Sequence, residues 1–310
     1  MFKNYLNTAL RFLRRNKLFA GINLLGLSLA LAASFIILLY VINEVSYNRN
    51  YKNREQIFRV LDDSEGSKSA RTPYVLGSAL KDYVPQVEIA VTTASLGDFK
   101  LKLKDEFVSI PLTIGTDSEL FNIFDLSLSG SSEDILEDPN SIVLSQKQAD
   151  KFFHDENPIG KEITGLVNDN EQIFIVKGVF KDIPLNSSLK ADCFVSSKWT
   201  LDRINKIFNT KDADLSWRRN FWTNWVMLKR NVDTGAVDSL LKTNNKQLSH
   251  YSLQNLSDVY FHSEGLIKHV RQVILKPSDF FWQLHFLLFL LLPLTISFYL
   301  LQFHLKERKK

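Results

Sequence analysis

Residues 18–43 and 280–305 contain no Asp, Glu, Lys or Arg, and each stretch is 26 residues long. With a helical rise of about 1.5 Å per residue, about 20 apolar residues cross the roughly 30 Å hydrocarbon core of a bilayer, so both stretches span it with some tilt. A core helix of a soluble protein is normally shorter and carries a polar stripe. Two transmembrane helices, one near each end of the chain, are therefore expected. The whole-chain hydrophobic fraction of 45% hides this uneven distribution.

Charge fixes the orientation. A net charge of +4 would admit a nucleic-acid partner, but the placement of the basic residues argues against one. Lys3, Arg11, Arg14, Arg15 and Lys17 precede the first apolar stretch, no acidic residue occurs before Glu44, and Lys306, Arg308, Lys309 and Lys310 follow the second. Basic clusters beside membrane helices mark the cytoplasmic side, where anionic lipid attracts them. Both termini are expected inside, with residues 44–279 outside the cytoplasm and 306–310 as a cytoplasmic tail. Ala30-Leu31-Ala32 resembles a signal-peptide cleavage site, but the apolar run continues to Ile42, so an uncleaved anchor is expected. Ahead of it, Phe2, Tyr5, Leu6, Ala9, Leu10, Phe12 and Leu13 recur at helical spacing, which predicts an amphipathic helix within residues 1–17 lying in the cytoplasmic interface. Gly26, Ala30 and Ala33 share one face of the first span, where a second helix can approach closely.

With Cys193 as the one cysteine, no intramolecular disulfide is available and the outer segment must rely on its own core. Cys193 itself reads as a buried residue of a strand. Helices are expected over 74–83, 146–153, 199–209 and 232–248. Strands are expected over 57–60, 87–94, 100–104, 108–114, 142–144, 173–180, 192–196 and 222–229, with 163 in a hairpin to 173–180 and a loop or strand over 253–261. Asn53 is placed to cap a short turn ahead of the first of these strands. The elements mix without regular alternation, which favours an α+β fold. The texture changes near Ser127 and returns to strand near Trp222.

Chemistry-bearing motifs are missing. The chain has no G-x-x-x-x-G-K-[ST] loop for ATP, no G-x-S-x-G and no H-E-x-x-H. His262 and His269 lie seven apart in an expected loop, His285 and His304 lie near the two ends of the second span, and Asp62-Asp63 reads as an exposed turn. Glycosylation triplets begin at Asn186 and Asn255, but such triplets are common by chance. No catalytic residue, metal ligand or cofactor is expected, and the reading is not that of an enzyme.

Four stretches carry a resemblance. They are Asn4-Tyr5-Leu6 through Arg14-Arg15-Asn16-Lys17-Leu18-Phe19 to Ile22-Asn23-Leu24-Leu25-Gly26-Leu27; Glu44-Val45-Ser46-Tyr47-Asn48-Arg49 with Ile57-Phe58-Arg59-Val60; Pro139-Asn140-Ser141-Ile142-Val143-Leu144-Ser145 with Asn157-Pro158-Ile159-Gly160-Lys161 and Gly178-Val179-Phe180-Lys181-Asp182-Ile183-Pro184; and Leu253-Gln254-Asn255-Leu256-Ser257-Asp258-Val259-Tyr260. In this order and spacing the sequence resembles the MacB/FtsX-type permeases of ABC transporters, in the Bacteroidetes branch with a MacB-like periplasmic core domain. The resemblance implies a bacterial inner-membrane protein whose outer domain has a porter-like part built from both ends of the segment and a smaller α/β subdomain inserted at about 127–221. It also implies a separate cytoplasmic ATPase as partner, pairing with itself or another permease, a periplasmic adaptor or outer-membrane partner, and a role in efflux or mechanotransmission. Family members continue past their second span to two further transmembrane helices, whereas this chain ends at Lys310 and carries Pro293 within its second span. A truncated or reduced permease is the form this suggests. The alternative reading is a membrane-anchored sensor with an outer ligand-binding domain.

Overall fold

A computed structural model describes residues 4, 11, 14–64, 66–97, 99–130, 134–167, 170–244 and 246–262. The second span expected at 280–305, the tail at 306–310, and His269, His285 and His304 lie outside the described residues, as does most of the interfacial helix expected within 1–17.

Helix α1 (Lys17–Val45) runs unbroken for 29 residues. Its part Ala20–Val45 is long and apolar enough to cross a membrane, and its most apolar window is wholly unburied. The Ser28 and Ser34 hydroxyls donate back to the carbonyls of Leu24 and Ala30 at 2.7 and 2.9 Å, which hides their polarity inside the helix. A long helix that is apolar all round and touches no core is matched to lipid.

The rest of the described chain builds one mixed sheet. Its first part contains β1 (Ile57–Asp62), α2 (Leu76–Tyr83) and β2 (Val87–Leu96), and its last part β11 (Thr223–Leu228), α6 (Thr234–Asn244) and β12 (Tyr251–Asn255). These four strands lie in the order β12-β1-β11-β2, and each neighbouring pair is antiparallel. This is a split β-α-β arrangement, each unit leaving a gap filled by a strand of the other. Alternation assigns the two faces. Phe58, Val60, Val226 and Leu228 point to the side where Leu76 and Leu80 of α2 and Val237 and Leu241 of α6 pack. Ile57, Trp225 and Met227 point to the other side. Strand β1 is buried on both faces, and its two charged residues are partnered there: Arg59 donates to Gln254 Oε1, and Asp62 accepts from Asn220 Nδ2.

Between β2 and β11 lie β3 (Lys100–Leu103), β4 (Glu106–Ser109), β5 (Thr113–Thr116), α3 (Glu119–Ile123), β6 (Leu128–Ser129), β7 (Ser141–Ser145), α4 (Gln146–Phe153), β8 (Glu162–Val167), β9 (Asn170–Phe180), β10 (Cys193–Ser196) and α5 (Ser197–Ile207). The sheet continues from β2 as β5-β10-β7-β9-β8-β3-β4, with β6 on β9. Strand β2 is the link, since Val87 to Thr93 face β11 while Ala94 to Leu96 pair with β5. Strands β3 and β5, which precede residue 127, pair with β8 and β10, which follow it. Side chains of β7 and β10 again divide between two cores: Ile142, Leu144, Cys193 and Val195 pack with Phe99, Phe174 and Trp199, while Val143 and Phe194 join Trp225 and Phe124. That second cluster ties the middle of the chain to the four-strand part. The mixed, sheet-rich architecture is the α+β class expected.

Several boundaries differ from the sequence reading. The single strand expected over 108–114 is two, because Pro111 has no N–H to give a ladder. The Ile110 amide turns to the Phe99 carbonyl at 2.7 Å instead. The helix expected over 232–248 is the shorter α6, whose approach is set by Asp233 accepting from the Gly235 amide at 2.9 Å. The segment expected as loop or strand over 253–261 is part of β12 followed by the short helix α7 (Leu256–Val259). Asn255 caps α7 by accepting from the Ser257 amide at 2.9 Å.

Candidate functional site

A set of long-range polar contacts gathers where α1 meets the outer domain. The helix ends as the Ser46 hydroxyl and amide both turn to the Asn43 carbonyl. Two residues later the chain reverses at Asn48, whose φ of 59° lies in the left-handed region. Asparagine tolerates that region better than other side chains, because its short amide bonds locally. Here it bonds far away in sequence. The fully buried Asn48 donates from Nδ2 to Ser188 Oγ and to the Leu256 carbonyl, each at 2.8 Å, and its Oδ1 accepts from the Ser188 amide at 2.7 Å. Its own amide donates to the Asn186 carbonyl at 2.9 Å.

Asn48 thus joins three segments: the helix exit, the 186–188 loop in the middle of the chain, and α7 near its end. The loop is fixed from its other side as well. Asn186 Nδ2 donates to Ser46 Oγ at 2.8 Å. The Tyr51 hydroxyl shares a 2.6 Å hydrogen bond with Ser187 Oγ, which in turn donates to the Leu189 carbonyl at 2.8 Å. The Tyr51 ring meets Phe124 edge-on at 5.2 Å, and Phe124 meets Trp225 of β11 at 5.3 Å. A continuous line of packed rings therefore leads from the helix exit to the centre of the sheet.

A second set of contacts holds the end of the described chain to the helix. The Tyr260 hydroxyl donates to Glu44 Oε2 at 2.7 Å, and its ring stacks on Tyr47 at 3.5 Å with 16° between planes. Glu44 sits in the last turn of α1, where the helix dipole disfavours an anion, and the phenol donation offsets that cost. Burial and the donation to Glu44 hold the Tyr260 hydroxyl well above the ordinary phenol range, so it stays a donor. The last turn of α1 and the end of the described chain therefore lie side by side.

The residues singled out in the sequence fall as follows. Cys193 is fully buried in β10 beside Thr113, and burial pushes its thiol up to about 12. Asp62 is a buried strand residue rather than an exposed turn; it accepts from Asn220 Nδ2 at 3.1 Å and from the Ser64 amide at 2.9 Å. His262 ends the described chain with its amide on the Asp258 carbonyl. Asn186 and Asn255, noted only for their triplets, use their amides in the junction and in the α7 cap. Among the described residues no His, Cys, Asp and Glu group could hold a metal ion. Asn48 passed unnoticed because its partners lie 140 and 208 positions away. The available signal was an asparagine two residues past an apolar helix, where a reversal favours a left-handed residue.

Residues 20–244 match the family described as MacB-like periplasmic core domain. Among solved structures, a domain of a protein described as a permease from Porphyromonas gingivalis superposes with a TM-score of 0.55 at 21% identity, over 66% of this chain and 92% of that one. The periplasmic region of MacB from Actinobacillus actinomycetemcomitans aligns with a TM-score of 0.49 at 16% identity, over 70% and 95% of the two chains. The extracellular domain of the noncanonic ABC-type transporter YknZ from Gram-positive bacteria gives 0.43 at 18% identity, over 64% and 100%. No curated protein matches. The first of these structures shares the fold, and the family match runs from the apolar helix α1 through β11 into α6: the chain belongs to the MacB-like periplasmic core domain family.

Proposed function

We propose that the chain is a permease subunit, whole or partial, of an ABC-type efflux or mechanotransmission system. Helix α1 crosses the inner membrane with its basic N-terminal flank in the cytoplasm, and the second apolar stretch, 280–305, returns the chain. The part made of β1, α2, β2, β11, α6 and β12 is the porter-like portion, and the middle of the chain is the inserted subdomain. A separate cytoplasmic ATPase moves the helices, and the outer domain follows. Pairing with a second permease, and contact with a periplasmic adaptor or outer-membrane partner, complete the assembly.

The observation that carries this reading is the Asn48 junction. A transmission device must make displacement of the helix inseparable from displacement of the domain, and such bistable machinery is built from packing and rigid elements rather than from reactive groups. Asn48, Asn186 and Tyr260 supply that rigidity. Solubilising native membranes in mild detergent and capturing the tagged chain should recover a cytoplasmic ATPase in a fixed ratio. Recovery of the chain in an otherwise intact membrane complex that contains no ATPase would contradict the proposal.

A further inference from the structure

Leu185 is 88% exposed, more than any other large hydrophobic residue among those described. A leucine side chain left in water forgoes the gain of burial, and such a residue on a loose loop would need no account. This loop is held. Two residues before it, Ile183 packs against the main core. The next residue, Asn186, donates to Ser46 Oγ at 2.8 Å and accepts from the Asn48 amide at 2.9 Å. Ser187 is fully buried. The isobutyl group is therefore kept bare by a fixed backbone, one residue from the side chain that binds the exit of α1.

The segments tied to this loop through Asn186 and Asn48 also carry exposed apolar residues. Ile42 and Val45, in the last turn of α1, are about half exposed, as is Phe261, whose ring meets Tyr260 edge-on at 5.1 Å. Tyr47 and Tyr260, stacked beside them, are of the type that gathers at the membrane–water boundary. The exposed apolar end of α1 is thus tied through Asn186 and Asn48 to the 185–188 loop and to α7, with Asn43 and Glu44 as the polar residues of the same last turn.

We propose that Leu185, with Phe261, inserts into the interfacial layer of the bilayer that α1 crosses, giving the outer domain a second foothold on the lipid. The occupant of this surface is the headgroup–acyl boundary of the membrane itself. A tilt of α1 would then change how deeply the 185–188 loop is seated, and Asn48 would pass that change to the sheet. The inference rests on the membrane-crossing reading of α1, so its test needs a reference inside the span.

The full chain is reconstituted into phosphatidylcholine vesicles carrying doxyl-labelled lipid, with an environment-sensitive fluorophore on L24C, L185C or L215C. Buried Cys193 stays unlabelled in the folded chain. Position 24 lies within α1, while Leu215 is exposed and belongs to the segment leading to Asn220, which binds Asp62 at the last residue of β1. The expected result is loss of most emission, with a blue shift, at 24 and 185, and neither at 215. Emission at 185 that matches 215 while 24 is quenched would overturn the foothold and leave the span standing. No quenching at 24 would overturn the membrane-crossing reading and the foothold with it. Equal quenching at 185 and 215 would also overturn it, since the contact would then not be specific to the junction.

Discussion

At Asn48 a single side chain satisfies a backbone amide, a backbone carbonyl and a hydroxyl that come from two other segments. Alanine there would leave the Ser188 amide and the Leu256 carbonyl without these partners. Each buried unpaired group costs about 1–3 kcal/mol, and a left-handed φ adds about 1 kcal/mol for a residue with a plain Cβ. Asn48→Ala should therefore lower the stability of the full chain by about 3 kcal/mol or more in urea unfolding in detergent; a loss below about 0.5 kcal/mol would show that these bonds are not formed. Asp117 gives a test of opposite sign. Burial pushes its carboxyl up to about 6, with Glu119 and Glu137 adding to the shift and the Glu119 amide opposing it. The folded state then holds the proton more tightly than the unfolded one, so its contribution is fully present at low pH and is lost as pH rises from about 4 to about 6. Asp117→Asn should raise the unfolding midpoint at pH 8, with the gain shrinking to nothing near pH 4. A lowered midpoint at pH 8 would mean the carboxylate is stabilised in the fold. The Cys193 thiol, enclosed and held protonated, should resist maleimide until the chain is unfolded; rapid labelling of the native protein would place β10 at the surface.

Close approach between elements is clearest where β5 meets α5. A Cβ added at Gly115 would lie 2.1 Å from Thr200 Oγ1, and Thr200 is itself fully buried. Neither the strand nor the helix has room to move, since β5 is hydrogen-bonded between β2 and β10. Overpacking of this kind typically costs about 1–3 kcal/mol and more where relief is blocked. Gly115→Ala should destabilise by at least that amount in thermal unfolding, and Thr200→Ala, which removes the nearest atom, should recover part of the loss in the double variant. Equal stability of Gly115→Ala and the natural chain would contradict the packing described.

The same scale shows what was legible in the sequence. Helix α4 was readable because Ser145 offers a cap and the apolar spacing is local, and Ser145 does accept from the Gln148 amide. The hairpin of β8 and β9 and the placement of Cys193 in a strand were readable for the same reason. Helix α3 spans five residues, too few for a periodicity to register. The split at Pro111 was hidden by flanking residues that favour strand on both sides. The junction was out of reach, because hydrogen bonds between residues more than a hundred positions apart leave no spacing pattern. The sequence does place Glu44 to Arg49 and Leu253 to Tyr260 in the stretches that carry the family resemblance, but nothing in their spacing says that they meet.

Among the described residues an apolar helix and a sheet-rich domain share one seam, where the end of α1 lies against α7 and Tyr260. The part-buried contacts of Tyr260 on Glu44 and Asn186 on Ser46 and the buried contact of Asn48 on α7 make that seam polar, and the rings of Tyr51, Phe124 and Trp225 carry it into the core. A hinge would instead show exposed, solvent-bonded backbone with few buried contacts. The most direct measurement is amide hydrogen exchange of the full chain in a lipid bilayer, followed at Asn48 and Ser188. Both amides should exchange as slowly as those of the central strand β11. Exchange at the rate of an unprotected loop would show that the helix and the outer domain move independently, and the transmission account would fail.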